Sequence, residues 1–240
     1  MLPIDLIPAL SDNYIYYDPT SAFIVDPGEC DPVFRFLEAN SFPLKFILLT
    51  HHHGDHVDGA LEIKRRTNAQ IVAFEEDRFR LPPIDIAVKD GDEILLGSRT
   101  ARIIHIPGHT LGHIAYYFSK DELLFTGDTL FSLGCGRLFE GTPEQMVSSL
   151  KKLMTLPPTT KIYCGHEYTE KNSRFALTLK PEDPALQDFA THIRELRAKG
   201  LPTLPTLLST ELKLNPFLRI LENENALETF IKLRQMRNTF

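Results

Sequence analysis

Short apolar runs bounded by turn residues recur through the first two-thirds of the chain, with helical patterns between several of them. This alternation predicts a layered α/β domain whose helices lie outside the sheets. The runs predicted as strands cover residues 22–26, 45–50, 70–74, 93–96, 102–106, 113–118, 123–126 and 161–164. Helical patterns cover residues 31–39 and 58–66. A further helix is predicted to begin after Thr142, because Thr142-Pro-Glu-Gln supplies an N-cap, a proline at the first helical position and a capping-box glutamine.

The last third of the chain has a different pattern. Strand-like runs stop near residue 167, and helical periodicity follows in residues 168–179, 184–199 and 224–234. Several prolines interrupt this region and predict short helices joined by rigid turns: Pro181, Pro184, Pro202, Pro205 and Pro216. We therefore expect an α/β domain over residues 1–167 and a helical domain over residues 168–240.

The composition narrows the choice of partners and compartment. The 240 residues include 26 basic and 32 acidic side chains, and the net charge of -6 argues against nucleic acid or an anionic membrane as a partner. Cys30, Cys135 and Cys164 are odd in number and scattered, so three free thiols and a reducing compartment are expected. The first residues lack a signal-peptide pattern, and the apolar runs are far shorter than the ~20 residues that span a bilayer. We expect a cytoplasmic protein, and a monomer.

The predicted strand at residues 45–50 runs directly into a cluster of metal-ligand side chains. Residues 50–56 read Thr-His-His-His-Gly-Asp-His, and three imidazoles and a carboxylate are the candidate ligands: His51, His53, Asp55 and His56. Imidazole nitrogens and carboxylate oxygens suit Zn²⁺ or a neighbouring first-row metal. Gly54 lets the backbone turn, so that the first two histidines face one ion and Asp55 and His56 face a second. His52 falls outside this alternation and is given no ligand role.

Three further candidates each follow a glycine at the end of another predicted strand: His109, Asp128 and His166. Functional side chains in layered α/β folds gather on loops beyond the carboxyl ends of strands, so the four loops are expected to face one crevice. Seven ligands are too many for one tetrahedral zinc and suit two ions, with Asp128 as the bridging carboxylate. The residue types predict two divalent ions, zinc first, with iron or manganese as alternatives.

The remaining histidines are weaker candidates. An isolated histidine at a strand end is more often an ordinary hydrogen-bonding group than a ligand, so His105, His113 and His192 are expected to be structural. His113 is also a candidate hydrogen-bonding partner of a ligand.

The string at residues 50–56 fits the H-x-H-x-D-H signature of the metallo-β-lactamase superfamily. Further segments resemble the hydroxyacylglutathione hydrolases, or glyoxalase II enzymes, of that superfamily: Asp12-Asn-Tyr, Val25-Asp-Pro-Gly, Pro107-Gly-His-Thr-Leu-Gly-His, Phe125-Thr-Gly-Asp-Thr-Leu-Phe, Gly134-Cys-Gly-Arg, Cys164-Gly-His-Glu-Tyr-Thr and Asn215-Pro-Phe-Leu-Arg. The resemblance spans nearly the whole chain. It implies a metallo-β-lactamase-like αββα four-layer sandwich, followed by a C-terminal helical domain that helps to hold glutathione.

The resemblance also implies a reaction and a set of site residues. The enzyme would cleave the thioester S-D-lactoylglutathione to D-lactate and glutathione with a metal-bridging hydroxide, the second step of methylglyoxal detoxification. Asp55 and Asp128 would be the catalytic carboxylates. The first metal would take His51, His53 and His109 and the second Asp55, His56 and His166, with Asp128 shared. Contacts to glutathione would fall on Arg137, Phe139, Tyr168, Arg234 and Arg237.

Two positions depart from the family pattern, and one region fits it. Phe139 stands where many relatives have tyrosine, which removes a hydroxyl contact to the peptide, and Asp58 stands where glycine is frequent. The last twelve residues contain Lys232, Arg234 and Arg237 and no acidic residue. Such a segment could grip the two carboxylates of glutathione, although a solvated helix face explains the same composition.

Two other interpretations remain open from the sequence alone. A persulfide dioxygenase or a lactonase of the same superfamily would share the fold with different chemistry. The complete second-metal set of Asp55, His56 and His166, together with the long helical tail, argues against a mononuclear iron dioxygenase. A non-catalytic metal-binding or RNA-associated module would keep the scaffold, but the full ligand set and the net charge of -6 count against it.

Overall fold

A computed structural model describes residues 3–240 of the chain. The chain divides into two compact units. Unit 1 comprises the described part of Met1–His105 together with Gly112–Gly127, and unit 2 comprises Ile106–Leu111 and Asp128–Phe240. Each unit therefore consists of two separate segments of the chain.

Unit 1 contains a six-stranded mixed sheet whose strands lie in sequence order: β1 (Asp5–Ala9), β2 (Asn13–Asp18), β3 (Phe23–Val25), β4 (Phe46–Leu48), β5 (Gln70–Phe74) and β6 (Ile86–Val88). Strands β1 to β3 pair antiparallel, and β3 to β6 pair parallel. The parallel crossovers contain three helices: α1 (Asp31–Asn40), the short α2 (Gly54–Val57) and α3 (Ala60–Thr67). A short 3₁₀ helix follows β5 (Glu75–Asp77).

The buried rows of this sheet explain its helix layer. Ile24, Ile47 and Ile71 stand opposite one another on β3, β4 and β5 and are fully buried. They share one apolar cluster with Leu37 of α1 and Ile63 of α3. Because side chains alternate between the faces of a strand, the same strands bury their other row on the opposite side of the sheet.

That opposite side faces a second sheet within unit 1. Its four strands in this unit form an antiparallel meander: β7 (Glu93–Leu96), β8 (Arg99–His105), β9 (Ile114–Phe118) and β10 (Leu123–Gly127). The Phe23 ring of β3 stacks on Phe118 of β9 at 5.1 Å, and Phe125 of β10 lies edge-on to Phe23 at 5.9 Å. Aromatic side chains therefore fill the layer between the two sheets.

Unit 2 is mostly helical. Its helices are α4 (Pro143–Met154), α5 (Thr169–Leu179), α6 (Pro184–Ala198), α7 (Leu208–Leu214), α8 (Pro216–Arg219) and α9 (Ala226–Thr239). Two short strand pairs complete it, β11 (Leu130–Phe131) with β12 (Gly134–Cys135) and β13 (Lys161–Cys164) with β14 (Thr206–Leu207). The α/β class and the helical C-terminal region that the sequence predicts are confirmed.

Three predicted strands and one predicted helix start are confirmed. The strands at residues 70–74, 93–96 and 161–164 match to the residue, and Thr142 and Gln145 form the predicted capping box. The expectation that strands stop near residue 167 is wrong, because Thr206–Leu207 pairs with β13. A two-residue strand leaves no periodicity in the sequence, and only its partner's hydrogen bonds define it.

Residues 3–240 contain neither a disulfide nor a helix that could span a membrane. The three cysteines form no disulfide within residues 3–240. Across the same part of the chain, every helix is too short or too polar to cross a bilayer.

A buried ion triad joins the two sheets of unit 1. Arg99 at the start of β8 places Nε 2.8 Å from Asp18 at the end of β2, and Nη1 2.5 Å from Asp121. The side chains of Arg99 and Asp18 are only 3% and 0% exposed. Removing one member of such a group leaves an uncompensated buried charge, which is far more costly than losing a surface pair.

We therefore predict that Arg99→Ala lowers the free energy of unfolding by about 3–5 kcal/mol. The matched control is Arg65→Ala, which breaks an exposed pair with Glu62 and should change stability little. Urea denaturation followed by circular dichroism measures both variants. Equal losses in the two variants would show that the buried triad does not stabilise unit 1.

Candidate metal centre

In unit 1, four predicted ligands lie together just after β4. His51 and His53 occupy the loop between β4 and α2, and Asp55 and His56 lie in the first turn of α2. His51 Nε2 is 3.1 Å from His53 Nδ1, and His56 Nε2 is 3.5 Å from Asp55 Oδ2. The turn at Gly54 therefore brings the ligand atoms into two close pairs.

Asp26, at the end of β3, orients two of these histidines. It accepts hydrogen bonds from the backbone nitrogen of Thr50 at 2.8 Å and from its hydroxyl at 2.7 Å, and Asp26 Oδ2 lies 3.0 Å from His56 Nδ1. Because the single hydroxyl proton of Thr50 goes to Asp26, Thr50 Oγ1 accepts from His51 Nδ1, 3.0 Å away. Both imidazoles thus carry their proton on Nδ1 and present the Nε2 lone pair.

Two residues that orient ligands have no distinctive sequence pattern. Asp26 lies within the Val25-Asp-Pro-Gly segment, and Asn13 lies within Asp12-Asn-Tyr. Asn13 Nδ2 donates to Asp55 Oδ2 at 3.0 Å, which fixes that carboxylate. Their signal in the sequence was a polar residue at the boundary of a strand, a feature too common to single them out.

The remaining histidines of unit 1 take other positions. His52 Nδ1 lies 3.1 Å from the buried carboxylate of Asp77, away from the ligand pairs. The buried His113 ring stacks on His51 with ring centres 4.6 Å apart. His105 stacks on Phe74.

In unit 2, three predicted ligands meet at one carboxylate oxygen. Asp128 Oδ2 lies 3.4 Å from His109 Nε2 and 3.3 Å from His166 Nε2. All three side chains are buried. His109 Nδ1 donates to the carbonyl oxygen of Arg137 at 2.8 Å, which leaves its Nε2 atom as an acceptor or ligand. An oxygen between two imidazole nitrogens has the position of a bridging ligand.

The spacing of these donors fits a divalent first-row metal. Ligand atoms about 2.0–2.1 Å from a tetrahedral ion lie roughly 3.3 Å from one another. The four separations in the two units are 3.1, 3.5, 3.4 and 3.3 Å. All donors are imidazole nitrogens or carboxylate oxygens, which suit zinc, iron and manganese.

Aromatic rings flank the ligands of unit 2. Tyr168 stacks on His166 with ring centres 4.7 Å apart and planes within 2°. Phe131 lies edge-on to Tyr168 at 5.2 Å, and Phe139 lies edge-on to His109 at 5.2 Å. The Phe139 side chain is 63% exposed, so it presents an apolar surface to solvent beside a ligand.

The three predicted glutathione-binding arginines differ in exposure. Arg137 is exposed, whereas Arg234 and Arg237 are buried. Arg234 Nη1 donates to the Cys135 carbonyl at 2.6 Å, and Arg237 donates to Asn172 Oδ1 at 3.0 and 3.2 Å. Burial, followed by the positive charges of Arg234 and Arg137, lowers the pKa of Arg237. The three side chains therefore form one cationic group.

Comparison with known families divides the chain between two profiles. The metallo-beta-lactamase superfamily matches residues 7–166. The C-terminal region of hydroxyacylglutathione hydrolase matches residues 167–240. Together the two profiles cover both the predicted metal ligands and the helical tail.

Curated relatives match over most or all of their length. The hydroxyacylglutathione hydrolase of Methylococcus capsulatus is 46% identical over 254 residues, covering 100% of this chain and 99% of the relative. That of Pelagibacter ubique is 46% identical, with 100% of both chains covered. That of Rhodospirillum rubrum is 49% identical, covering 91% of this chain and 87% of the relative.

Solved structures show the same fold at lower identity. ETHE1 from Myxococcus xanthus superposes with a TM-score of 0.72 at 24% identity, covering 98% of this chain and 90% of that one. The BLEG-1 B3 metallo-beta-lactamase superposes at 0.69 with 23% identity, covering 90% and 99%. A further match, a protein in a di-iron-bound form, has a TM-score of 0.64 at 24% identity and covers 90% of this chain and 100% of that one. By its fold and by identity over its full length, this chain belongs to the hydroxyacylglutathione hydrolase family of the metallo-β-lactamase superfamily.

Proposed function

We propose that this chain is a dinuclear-metal thioester hydrolase that cleaves S-D-lactoylglutathione, a 2-hydroxyacylglutathione, to D-lactate and glutathione. The observation that carries the proposal is the ligand set, seven His and Asp side chains whose donor atoms are spaced at 3.1–3.5 Å within each unit. Full-length relatives named hydroxyacylglutathione hydrolase support the same substrate.

The proposal assigns His51, His53 and His109 to one ion, and Asp55, His56 and His166 to the other, with Asp128 shared. A solved structure of the same fold in a di-iron-bound form supports two ions. Zinc is our first choice of metal. Two bound divalent ions would lower the pKa of a water molecule to ~7 and would polarise the thioester carbonyl.

The chain's own residues orient the reacting groups. Asp55 is held by Asn13, and its side chain is 40% exposed, so a carboxylate oxygen faces solvent. Such an oxygen can accept a hydrogen bond from the attacking water and direct its lone pair toward the carbonyl carbon. A thiolate leaves as a stable anion, and no side chain is needed to protonate it.

The glutathione part of the substrate is proposed to bind in the helical region, residues 168–240, together with the segment around Arg137. The peptide carries two carboxylates, and the cationic group of Arg137, Arg234 and Arg237 matches that charge. Phe139 and Tyr168 add ring surfaces beside His109 and His166. Because Phe139 lacks a hydroxyl, its contact with the peptide is apolar.

The other interpretations explain less of the chain. A dioxygenase or a lactonase would share the metallo-β-lactamase fold, but residues 167–240 match the C-terminal region of hydroxyacylglutathione hydrolases. A non-catalytic metal-binding module would keep the same ligand spacing, and hydrolysis of any thioester by the purified chain would exclude it.

Replacing Asp128 by alanine removes the oxygen shared by His109 and His166. We expect Asp128→Ala to lose bound metal and to lower kcat by more than about 100-fold. Replacing a group that merely orients a ligand lowers metal affinity or activity by about 10- to 100-fold, and replacing the ligand itself should have at least as large an effect. Metal per chain is measured by mass spectrometry, and thioester loss by ultraviolet absorbance. The control Asp58→Ala changes an exposed carboxylate near the cluster and should keep both metals. Full metal content and activity in Asp128→Ala would refute the bridging role.

Replacing Arg137 by alanine tests whether its side chain binds a carboxylate of glutathione, without removing the backbone carbonyl that accepts from His109. We expect KM for S-D-lactoylglutathione to rise about tenfold with kcat nearly unchanged, since a charge-assisted hydrogen bond contributes about 1.5–3 kcal/mol. Steady-state kinetics measure both constants. A lactoyl thioester of N-acetylcysteamine, which lacks the carboxylates, should show no difference.

The control variant for this experiment is Arg174→Ala, which removes an exposed arginine from α5. Its KM should equal that of the unmodified chain. An unchanged KM in Arg137→Ala, or an equal rise with the truncated thioester, would exclude Arg137 from carboxylate binding.

A further inference from the structure

One short segment connects the ligands of unit 2. Residues 130–137, which we name the ligand hairpin, begin two residues after Asp128 and contain β11 and β12 in the register Leu130↔Cys135 and Phe131↔Gly134. The segment ends at Arg137, whose carbonyl accepts the proton of His109 Nδ1. The position of the hairpin therefore sets the orientation of a proposed metal ligand.

The ligand hairpin cannot hold its own shape. Its two strands have two residues each, far fewer than an independent hairpin needs. Leu133 in its turn has φ of 55°, a left-handed conformation that costs a non-glycine residue about 1–2 kcal/mol. Such a conformation persists only where the surroundings fix it.

Buried side chains from the helical tail bind the backbone of the hairpin on several sides. Asn215 Nδ2 donates to the carbonyls of Phe131 at 3.2 Å and Gly134 at 3.1 Å. Asn172 Nδ2 donates to the carbonyl of Ser132 at 2.9 Å. The strained turn thus has its carbonyl groups held by two amide side chains.

The two amides are themselves fixed. Asn215 is 0% exposed, and its Oδ1 caps α8 by accepting from the Phe217 nitrogen at 3.0 Å. Its Nδ2 also contacts Glu211 Oε2 at 3.0 Å, and the same oxygen accepts from the Leu133 nitrogen at 2.7 Å. Asn172 is 3% exposed and accepts from Arg237. Asn215 thus links the hairpin to the start of α8, and Asn172 links it to α5.

The hairpin also passes so close to the ligands that it cannot shift alone. A Cβ atom on Gly136 would lie 1.9 Å from the Asp128 carbonyl oxygen and 3.3 Å from His109 Nδ1. A Cβ atom on Gly134 would lie 2.5 Å from Asn172 Nδ2. Only glycine fits at these two approaches. A displaced hairpin would move the Arg137 carbonyl relative to His109.

We propose that Asn215 and Asn172 are positioning residues of the metal centre, which they align through the ligand hairpin and the Arg137 carbonyl. This gives a role to the Asn215-Pro-Phe-Leu-Arg segment, which lies far in sequence from every ligand. The proposal rests on the proposed function in one respect, that His109 is a metal ligand.

The test compares Zn²⁺ affinity in Asn215→Ser with that of the unmodified full-length chain. Serine keeps the helix cap and removes the amide donor. We expect the zinc dissociation constant of the weaker-bound ion, measured by competition with a chromophoric chelator, to rise about tenfold, the lower end of the effect of groups that orient ligands. Hydrogen exchange in residues 129–137 should be faster.

The matched control is Asp183→Ser, which leaves a serine at the N-cap of α6 and breaks the ion pair with Arg219; neither Asp183 nor Arg219 hydrogen-bonds to the hairpin. Its zinc affinity should be unchanged even if its melting temperature falls. If Asn215→Ser does not fold, Asn172→Ser removes the bond to the Ser132 carbonyl and carries the same expectation.

Unchanged zinc affinity in the folded amide variant, or an equal loss in Asp183→Ser, would overturn the positioning role. Thioester hydrolysis is not needed for this comparison. A chain that binds zinc as expected but does not cleave S-D-lactoylglutathione would therefore count against the proposed function and leave the positioning role standing.

Discussion

The proposed metal centre depends on hydrogen bonds donated by the Nδ1 atoms of three of its candidate histidine ligands. Asp26 accepts from His56, Thr50 accepts from His51, and the Arg137 carbonyl accepts from His109. Each acceptor fixes one tautomer of its histidine and turns the Nε2 lone pair toward the neighbouring ligand atoms. Without them the same imidazoles could rotate and protonate independently, and the spacing that suits a metal would be lost.

Those acceptors are held in place differently in the two units. Asp26 and Thr50 follow β3 and β4, whose parallel pairing brings the two strand ends side by side. The Arg137 carbonyl follows a hairpin too short to be stable alone, so buried tail side chains hold it. The ligands of unit 1 thus depend on sheet pairing, whereas His109 depends on polar groups of the helical tail.

The sequence predicted the ligand types because they are dense and adjacent to strands, and residues 50–56 have few structural explanations. It could not assign roles to Asp26 and Asn13, whose partners lie 24 to 42 positions away and become neighbours only through strand pairing. Strand β14 and the turn at Leu133 were missed for the same reason, since distant hydrogen bonds define both. Short-range periodicity carries no information about such contacts.

The seven candidate ligands are proposed to bind a pair of ions. Native mass spectrometry of the fully active, purified chain tests this proposal most directly, because it counts the ions on each intact molecule. We expect a dominant species with two divalent metal ions, and a parallel loss of activity as a chelator removes them. Full activity in molecules that hold one ion, or none, would contradict it.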